Sequence, residues 1–250
     1  MLGGLNTRVM LEYLPEIWQG FLSTLWLSAA GFLGAMALGV LACALAIQPL
    51  RWLRAPAVAY VDVIRATPLL AQLYFLYFGL PRLGIVLPEM LIGIIALSLN
   101  SGAYMAEIIR SGILSIPRGQ VEAGMSTGLS YLQRMRLIVL PQALRATVSP
   151  VIGQTIVLVK DSSLLSLISV VELTRAGQRI AIDRFMPVEG LVATALGYLV
   201  LYYALKSAAG AWSAGCRPRR GCRCSSTPWP SAWRRIGAIR GERGRCWFSD

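Results

Sequence analysis

The sequence predicts an all-α integral membrane protein with about five transmembrane helices, and three observations support this fold class. Hydrophobic residues make up 56% of the 250 residues and charged residues only 14%, whereas soluble domains carry about 25% charged residues. The mean hydropathy is +0.59. Charge-free runs long enough to cross a bilayer recur along the chain, such as the run from Ile17 to Leu50. This composition excludes a single soluble domain, a disordered chain and a nucleic-acid-binding tail protein.

The positive charge is unevenly distributed, and the change marks a boundary near residue 206. Residues 1–205 contain 14 Lys and Arg against 10 Asp and Glu, a net charge of +4. Residues 206–250 contain 10 basic against 2 acidic residues, a net charge of +8, together with four of the five cysteines. We therefore divide the chain into a periplasmic or interfacial lead (1–16), a membrane domain (17–206) and a basic tail (207–250).

Five segments of the membrane domain have about the length, roughly 20 mostly apolar residues or more, that a helix needs to cross a bilayer. Arg51 ends the first, and Pro68 predicts a kink in the second. Lys160 and Asp161 interrupt the fourth. The predicted spans are 20–47, 57–80, 89–110, 146–168 and 188–206, with a cytoplasmic loop at 111–143 and a charged loop at 170–189.

The arginines of the loops predict the orientation of the chain, because cytoplasmic loops carry an excess of Lys and Arg. The loop after the first span carries Arg51 and Arg54, with Arg65 near it, and the chain after the fifth span begins with Lys206. The loop after the third span carries Arg110, Arg118, Arg134, Arg136 and Arg145. An odd number of spans then places the N-terminus outside and the C-terminus in the cytoplasm. Arg175, Arg179 and Arg184 lie on the opposite side and weaken this bias.

The loop at 111–143 is the most informative segment. Residues 119–127 have a composition compatible with a helix, and Glu122 lies near its start, where a negative charge complements the helix dipole. Gly128 fits a helix stop. A short helix at the membrane surface is either an interfacial connection between spans or a docking element, and the residues alone leave both open.

A motif in this loop resembles the EAA loop of type I ABC-importer permeases. Glu122-Ala123-Gly124 is followed after three residues by Gly128, and after nine more by Ile138-x-Leu140-Pro141, with Gly124 where the family pattern has alanine. The resemblance covers about residues 15–205. Four further segments resemble the polar amino acid subfamily of these permeases: Arg65–Gln72, Ala103–Gly112, Pro117–Gln120 and Lys160–Leu164.

The resemblance implies a multi-pass permease of the bacterial cytoplasmic (inner) membrane. It implies four kinds of partner: a cytoplasmic ATPase dimer, a second permease copy or paralogue, an extracytoplasmic amino-acid-binding protein and membrane lipid, with no nucleic acid. The loop helix would dock into the ATPase, with Glu122 as the fixed charge and Arg118 beside it. The residues assigned to ATPase coupling are Arg118, Glu122, Ala123, Gly124, Gly128, Ile138, Leu140 and Pro141.

The chain has no sequence motif with which to hydrolyse ATP itself. A P-loop needs glycines before a Lys followed by Ser or Thr, and the two lysines, Lys160 and Lys206, follow Val159 and Leu205. Histidine is absent, which removes the commonest near-neutral acid–base group and metal ligand. We therefore expect no catalytic residue, cofactor or metal site in this chain, with ATP and Mg²⁺ held by the partner. The alternative is an ion-coupled secondary transporter or a channel subunit.

Polar residues within the third and fourth spans are candidates for the substrate pathway. Charged groups at membrane depth are costly and point to function, whereas uncharged polar groups also serve as hydrogen bonds between helices. The candidates are Asn100, Ser101, Tyr104, Gln154, Thr155, Lys160 and Asp161.

Two charged pairs stand three residues apart on predicted helices. Asp62 and Arg65 form one pair, and Glu107 and Arg110 form the other. This spacing places both members on one helix face. Each pair is either a local salt bridge or a gating contact with a partner permease.

The tail at 207–250 differs from the endings of this family. Its cysteines (Cys216, Cys222, Cys224 and Cys246) are irregularly spaced and no histidine accompanies them, which argues against a zinc site. We expect the tail to be disordered. It is either a basic membrane-surface segment or the product of an out-of-frame gene end.

Overall fold

The computed structural model describes residues 7–215, and every regular element in this range is a helix. The predicted all-α class is thereby confirmed. In chain order the elements are α1 (Thr7–Glu12), α2 (Leu14–Ala46), α3 (Arg51–Ala66), α4 (Leu69–Tyr74), a π-helical turn (Phe75–Gly79), α5 (Leu80–Arg82), α6 (Glu89–Leu114), α7 (Arg118–Ser126), α8 (Tyr131–Arg134), a second π-helical turn (Met135–Val139), α9 (Leu140–Asp161), a 3₁₀-helix (Ser162–Ile168), α10 (Leu173–Asp183) and α11 (Pro187–Gly215).

Four helices in the described range are long and apolar enough to cross a membrane, and a bent helix pair makes a fifth if it counts as one span. Four are continuous, and they extend over Leu14–Ala46, Glu89–Leu114, Tyr131–Ile168 and Pro187–Ala208. The fifth is the pair Arg51–Ala66 and Leu69–Arg82, which is bent by 106°. The number agrees with the predicted five spans. The predicted orientation of the termini stays a prediction.

The second predicted span is broken at Pro68. Thr67 is extended (φ −109°, ψ 139°), as expected for a residue that precedes proline, and α4 begins again at Leu69. The Gln72 side chain bridges the break, because its Nε2 donates to the Ile64 carbonyl at 2.9 Å and to Thr67 Oγ1 at 2.8 Å. The kink predicted at this proline is therefore a sharp bend between two helices.

Both π-helical turns lie directly before a Leu-Pro pair. The first ends at Gly79, before Leu80 and Pro81, and the second ends at Val139, before Leu140. A proline inside a helix removes one amide hydrogen bond and crowds the preceding turn, and a π-helical turn is one way to accommodate this. The fourth span, predicted at 146–168, consequently lies in a longer helical run that starts at Tyr131.

Small residues allow α2 and α6 to pack closely along their length. Gly31, Ala35 and Gly39 are buried on α2, and the two glycines lie directly against α6, Gly31 at Leu97 and Gly39 at Met105 and Ala106. A Cβ atom on Gly39 would lie 2.6 Å from the Met105 Cβ. Close contact between rows of small residues is a common way to join membrane helices. Helices α3 and α9 pack against both members of this pair.

The prediction of a charged loop at 170–189 is wrong, because most of this segment is helix α10. Its apolar face carries Leu173, Ala176 and Ile180, all buried, whereas Arg175 and Arg179 lie on the other face and Arg184 directly follows the helix. Arg179 pairs with Glu16 at 3.6 Å, and Arg184 pairs with Glu12. The charges belong to one face of an amphipathic helix that packs between α2 and α11.

Helix α11 continues beyond the predicted end of the fifth span at residue 206. It reaches Gly215, so residues 207–215 are helical rather than disordered. This stretch contains four alanines and no charge or proline, which suits a helix. The remaining predictions for the tail, including disorder, the four cysteines and the reading frame, concern residues 216–250, which lie outside the described residues.

Candidate functional site: a loop helix and two cavities

The coupling-loop motif forms helix α7, as the sequence predicts. Pro117 precedes the helix, and Gly128 follows it with φ +77°, a conformation that favours glycine. The Gly128 amide donates to the Met125 carbonyl at 3.0 Å, and the Leu129 amide donates to the Gly124 carbonyl at 3.2 Å. These two bonds form a Schellman motif, which satisfies carbonyls at the end of the helix.

The two halves of the motif contact each other. Gly124 is buried, and a Cβ atom at this position would lie 2.7 Å from Ile138 Cδ1 and 3.2 Å from Arg134 Cγ. The absence of a side chain at Gly124 lets the segment around Ile138 pack against α7. The structure thus brings together residues that are 14 positions apart in the predicted motif.

The other predicted coupling residues form an exposed surface. The side chains of Arg118, Glu122 and Ala123 are exposed on α7, and Gly128 is exposed at its end. Leu140 and Pro141 are exposed in the first turn of α9. Glu122 has no ion pair among the residues that the structure describes. This carboxylate is therefore available to a partner.

A capping box joins the two parts of the loop, and the sequence analysis missed it. Ser130 Oγ accepts the Gln133 amide at 3.4 Å, and Gln133 Oε1 accepts the Ser130 amide at 2.9 Å. The pattern Ser-x-x-Gln before a helix is its sequence signal. The box fixes the turn between α7 and α8, and with it the position of the exposed face of α7.

A cavity of about 500 Å³ lies where α3, α4, α6 and α9 meet, and we call it the polar cavity. Four of the predicted pathway residues line it: Asn100, Tyr104, Gln154 and Asp161. The cavity therefore combines a carboxylate, two carboxamides and a phenol from two spans that the sequence analysis had selected. The other lining residues are Arg65, Ala66, Thr67, Pro68, Leu69 and Val157.

Arg65 is the charged lining residue that the sequence analysis did not assign to the pathway. Its guanidinium carbon lies 5.4 Å from the centre of the Tyr104 ring, within the range of a cation–π contact. Arg65 belongs to the last turn of α3, directly before the bend at Pro68. The signal that could have found it is the motif Arg65-Ala-Thr-Pro68, since a broken helix within a membrane is a common place for polar function.

The other three predicted pathway residues do not line the polar cavity. Ser101 is buried, and its hydroxyl has no hydrogen-bond partner in the described structure. Thr155 donates to the Val151 carbonyl of its own helix at 2.8 Å. Lys160 is exposed, with its ammonium 5.1 Å from the centre of the Tyr202 ring. Their predicted role in the pathway stays a prediction.

A second cavity of about 430 Å³ lies between α2, α3 and α6, and we call it the charged cavity. Its charged lining residues are Arg54, Asp62, Arg65, Glu107 and Arg110. The predicted pair of Glu107 and Arg110 forms, with Arg110 Nε 2.9 Å from Glu107 Oε2. The pairing considered for Asp62 and Arg65 does not form in the described structure, because Arg65 lies over Tyr104 instead.

The described residues contain no group of three or more Cys, Asp or Glu side chains that could hold a metal ion.

Comparisons with known proteins agree on the type of protein. The profile of the family described as "Binding-protein-dependent transport system inner membrane component" matches residues 35–213. The glutamine transport system permease protein GlnP of Escherichia coli strain K12 is 38% identical over 191 residues, which cover 75% of this chain and 87% of that protein. The probable amino-acid ABC transporter permease protein YckA of Bacillus subtilis strain 168 is 38% identical over 193 residues, which cover 77% and 85%.

Solved structures share the fold. A chain in the crystal structure of an amino acid ABC transporter with histidines superposes with a TM-score of 0.81 at 30% identity, over 86% of this chain and 99% of that one. A chain of the inward-facing methionine ABC transporter MetNI superposes with a TM-score of 0.63 at 19% identity, over 84% and 99%. The family profile covers well over half of the sequence, and the relatives match over most of their own length. The chain belongs to the family of binding-protein-dependent transport system inner membrane components.

Proposed function

We propose that this chain is the permease subunit of an ATP-binding-cassette importer that moves a polar amino acid across the cytoplasmic membrane. The single observation that carries the choice of substrate is the polar cavity, in which Arg65 and Asp161 accompany the carboxamides of Asn100 and Gln154. The relatives named for glutamine and amino-acid transport support the same class. The chain supplies the passage, and a partner ATPase supplies the energy.

The chemistry of the polar cavity matches an amino acid zwitterion. Arg65 can hold a carboxylate with charge-assisted hydrogen bonds, and Asp161 can hold an ammonium group. Asn100 and Gln154 offer donors and acceptors to a polar side chain. A volume of about 500 Å³ lies within the roughly 300–1,000 Å³ typical of small-molecule sites. Neutralising both charges of the substrate matters here, because isolated charges are costly within a membrane.

The exposed surface of α7 supports the proposed coupling to the ATPase. Small residues at Ala123 and Gly128 let a partner surface approach closely, and the Glu122 carboxylate offers it one fixed charge. The capping box and the Schellman motif hold this surface beside the second π-helical turn, which continues directly into α9. A push on α7 would therefore reach the span that carries Gln154 and Asp161. In this proposal ATP and Mg²⁺ bind to the partner ATPase dimer.

The complete importer contains further partners in this proposal. A second permease copy or paralogue pairs with this chain, and an extracytoplasmic binding protein delivers the amino acid. Membrane lipid surrounds the exposed apolar side chains of the spans, among them Trp26, Leu33 and Leu199. Alternating access moves the substrate when ATP binding closes the ATPase dimer.

Reconstitution of the complex tests the proposal. The chain is purified with the ATPase and the binding protein encoded beside it, placed in liposomes and supplied with single amino acids. We expect one polar amino acid, with its binding protein, to stimulate both ATP hydrolysis and uptake. Uptake that persists without the ATPase and follows an ion gradient would instead identify an ion-coupled transporter.

A charge reversal tests the role of α7 in the same assay. We expect Glu122→Lys to lower ATP-dependent uptake about tenfold or more, because like charges at a docking contact are strongly unfavourable. Membrane insertion should be unchanged. Glu89→Lys is the matched control, since Glu89 is an exposed acid in the first turn of α6 and lines neither cavity. Equal uptake in both variants would contradict the proposed contact.

A further inference from the structure

Arg65 lines both cavities, and it is the residue that their linings have in common. The polar cavity lies on one side of it, with Tyr104 and Asp161, and the charged cavity lies on the other, with Asp62 and Glu107. The charged cavity is at the end of the bundle where α2 and α6 terminate, shortly before α7 begins. It therefore adjoins the side of the membrane on which the ATPase would dock.

We propose that Arg65 is a gate residue that separates the polar cavity from the charged cavity, and that the charged cavity is the vestibule through which the amino acid leaves toward the ATPase side. This inference rests on the proposed function. In the closed position Arg65 lies over the Tyr104 ring, as in the structure. In the open position its guanidinium pairs with the Asp62 carboxylate, one helical turn away.

The contacts of Arg65 favour two positions. In the described structure it has no ion pair, although it carries a permanent charge. Asp62 likewise has no ion pair in this range, whereas Glu107 is occupied by Arg110. A cation–π contact and a partly exposed ion pair are of similar strength. A small bias can therefore move Arg65 between Tyr104 and Asp62.

The bend at Pro68 gives the substrate a means to supply that bias. Asn100 lines the polar cavity, and its Nδ2 donates to Gln72 Oε1 at 3.2 Å. The Gln72 Nε2 in turn donates to the carbonyl of Ile64, which is the residue before Arg65. A ligand that binds Asn100 competes for this hydrogen bond and so changes the support of the bend. Occupation of the polar cavity is thereby linked to the turn that carries the gate.

Thiol labelling reports on the gate independently of which solute is transported. A single cysteine replaces Val157, which lines the polar cavity, in a background with the five native cysteines replaced. A membrane-impermeant thiol reagent is added from the ATPase side of vesicles that contain the whole complex. We expect Arg65→Ala and Tyr104→Leu to raise the labelling rate of this cysteine about tenfold or more, because each removes the contact that closes the gate.

Two variants serve as matched controls. Tyr104→Phe keeps the aromatic ring and should label at the rate of the parent. Arg51→Ala removes an exposed arginine from the same helix without touching either cavity, and should also leave the rate unchanged. An increase in Arg51→Ala equal to that in Arg65→Ala would overturn the gate, because it would indicate general loosening of α3.

Leak measurements on the complex with native cysteines provide a second test. Liposomes preloaded with labelled amino acid should lose it without ATP faster in Arg65→Ala and Tyr104→Leu than in Tyr104→Phe. If the parent complex transports amino acids and neither labelling nor leak responds to these variants, the gate is refuted and the proposed function stands. If the parent transports no amino acid, the proposed function fails, while the labelling rates still decide whether Arg65 closes the passage.

Discussion

At the scale of single residues, Glu172 stands out because it is an acidic side chain with no exposed surface. An acidic group in such a place destabilises the fold unless hydrogen bonds compensate for the lost hydration. It is the N-cap of α10 and accepts the Thr174 amide at 2.8 Å and the Arg175 amide at 3.0 Å. The Tyr198 hydroxyl donates a third hydrogen bond at 2.8 Å. Burial raises the pKa of Glu172 above its usual value, and these hydrogen bonds oppose the increase.

We expect Glu172→Gln to change the pH dependence of stability. A carboxyl whose pKa is raised by folding stabilises the folded state below the unfolded pKa of about 4.3, and this contribution is lost as the pH rises through the folded pKa. The variant lacks this titration, so the thermal midpoint of the parent should fall relative to that of the variant as the pH rises from about 4. Equal slopes for both proteins would contradict the assignment.

At the same position, Glu172→Ala separates the cap from the charge. This variant removes the acceptor for two amides and for the Tyr198 hydroxyl, which keeps only the hydrogen bond that it accepts from Thr174 Oγ1 at 3.4 Å. Loss of an N-cap costs about 1 kcal/mol, and loss of the hydrogen bond that the Tyr198 hydroxyl donates costs about 0.5–1.5 kcal/mol more. We therefore expect a lower thermal midpoint than for Glu172→Gln at any pH.

At the scale of elements, two glycines of the coupling loop make a matched pair. Gly128 has φ +77°, so Gly128→Ala must hold a left-handed residue at a cost of about 1–2 kcal/mol. In Gly124→Ala the new Cβ meets the tip of Ile138 and the stem of Arg134, both of which can shift. We expect Gly128→Ala to lower coupled ATP hydrolysis and Gly124→Ala to retain it. Similar losses in both would argue against the Schellman end as the feature that positions α7.

Elements that follow from the composition and spacing of residues could be predicted from the sequence. Features that depend on how helices pack in three dimensions could not. Apolar runs with few charges predicted the five spans, and the EAA-type pattern predicted α7 and its end at Gly128. Helix α10 was missed because Arg175, Arg179 and Arg184 raise the charge of the segment, although Arg175 and Arg179 share one face of the helix and Arg184 follows its end. The sharp bend at Pro68 was expected only as a kink, since the angle depends on how Gln72 and Asn100 support the break.

The candidate site shows the same division. Asn100, Tyr104, Gln154 and Asp161 were found because polar residues stand out in apolar spans. Arg65, which also lines the polar cavity, was not among the predicted pathway residues, because a basic residue near a predicted cytoplasmic end has an ordinary role in orientation. Only the packing of α3 against α6 places it over Tyr104 and between two cavities. Sequence thus identified polar groups, and structure identified which of them share a space.

At the scale of the whole molecule, the orientation in the membrane decides which surface meets the ATPase. The arginine-rich loops predict that the turn between α5 and α6 faces outward and that α7 faces the cytoplasm. Leu83 in that turn is 74% exposed and Met125 on α7 is 51% exposed, so single cysteines at these positions would be accessible to reagents. Both sites lie in surface segments, where substitution should be tolerated.

We expect Leu83→Cys, in a cysteine-free background expressed without the ATPase, to react with an impermeant thiol reagent on intact spheroplasts. Met125→Cys should react only after the membrane is opened, because α7 lies on the cytoplasmic side. The parent without cysteines controls for background labelling. The reverse pattern would indicate the opposite orientation in the membrane. Glu122 and the charged cavity would then lie on the side away from ATP, and α7 could not couple the chain to the ATPase.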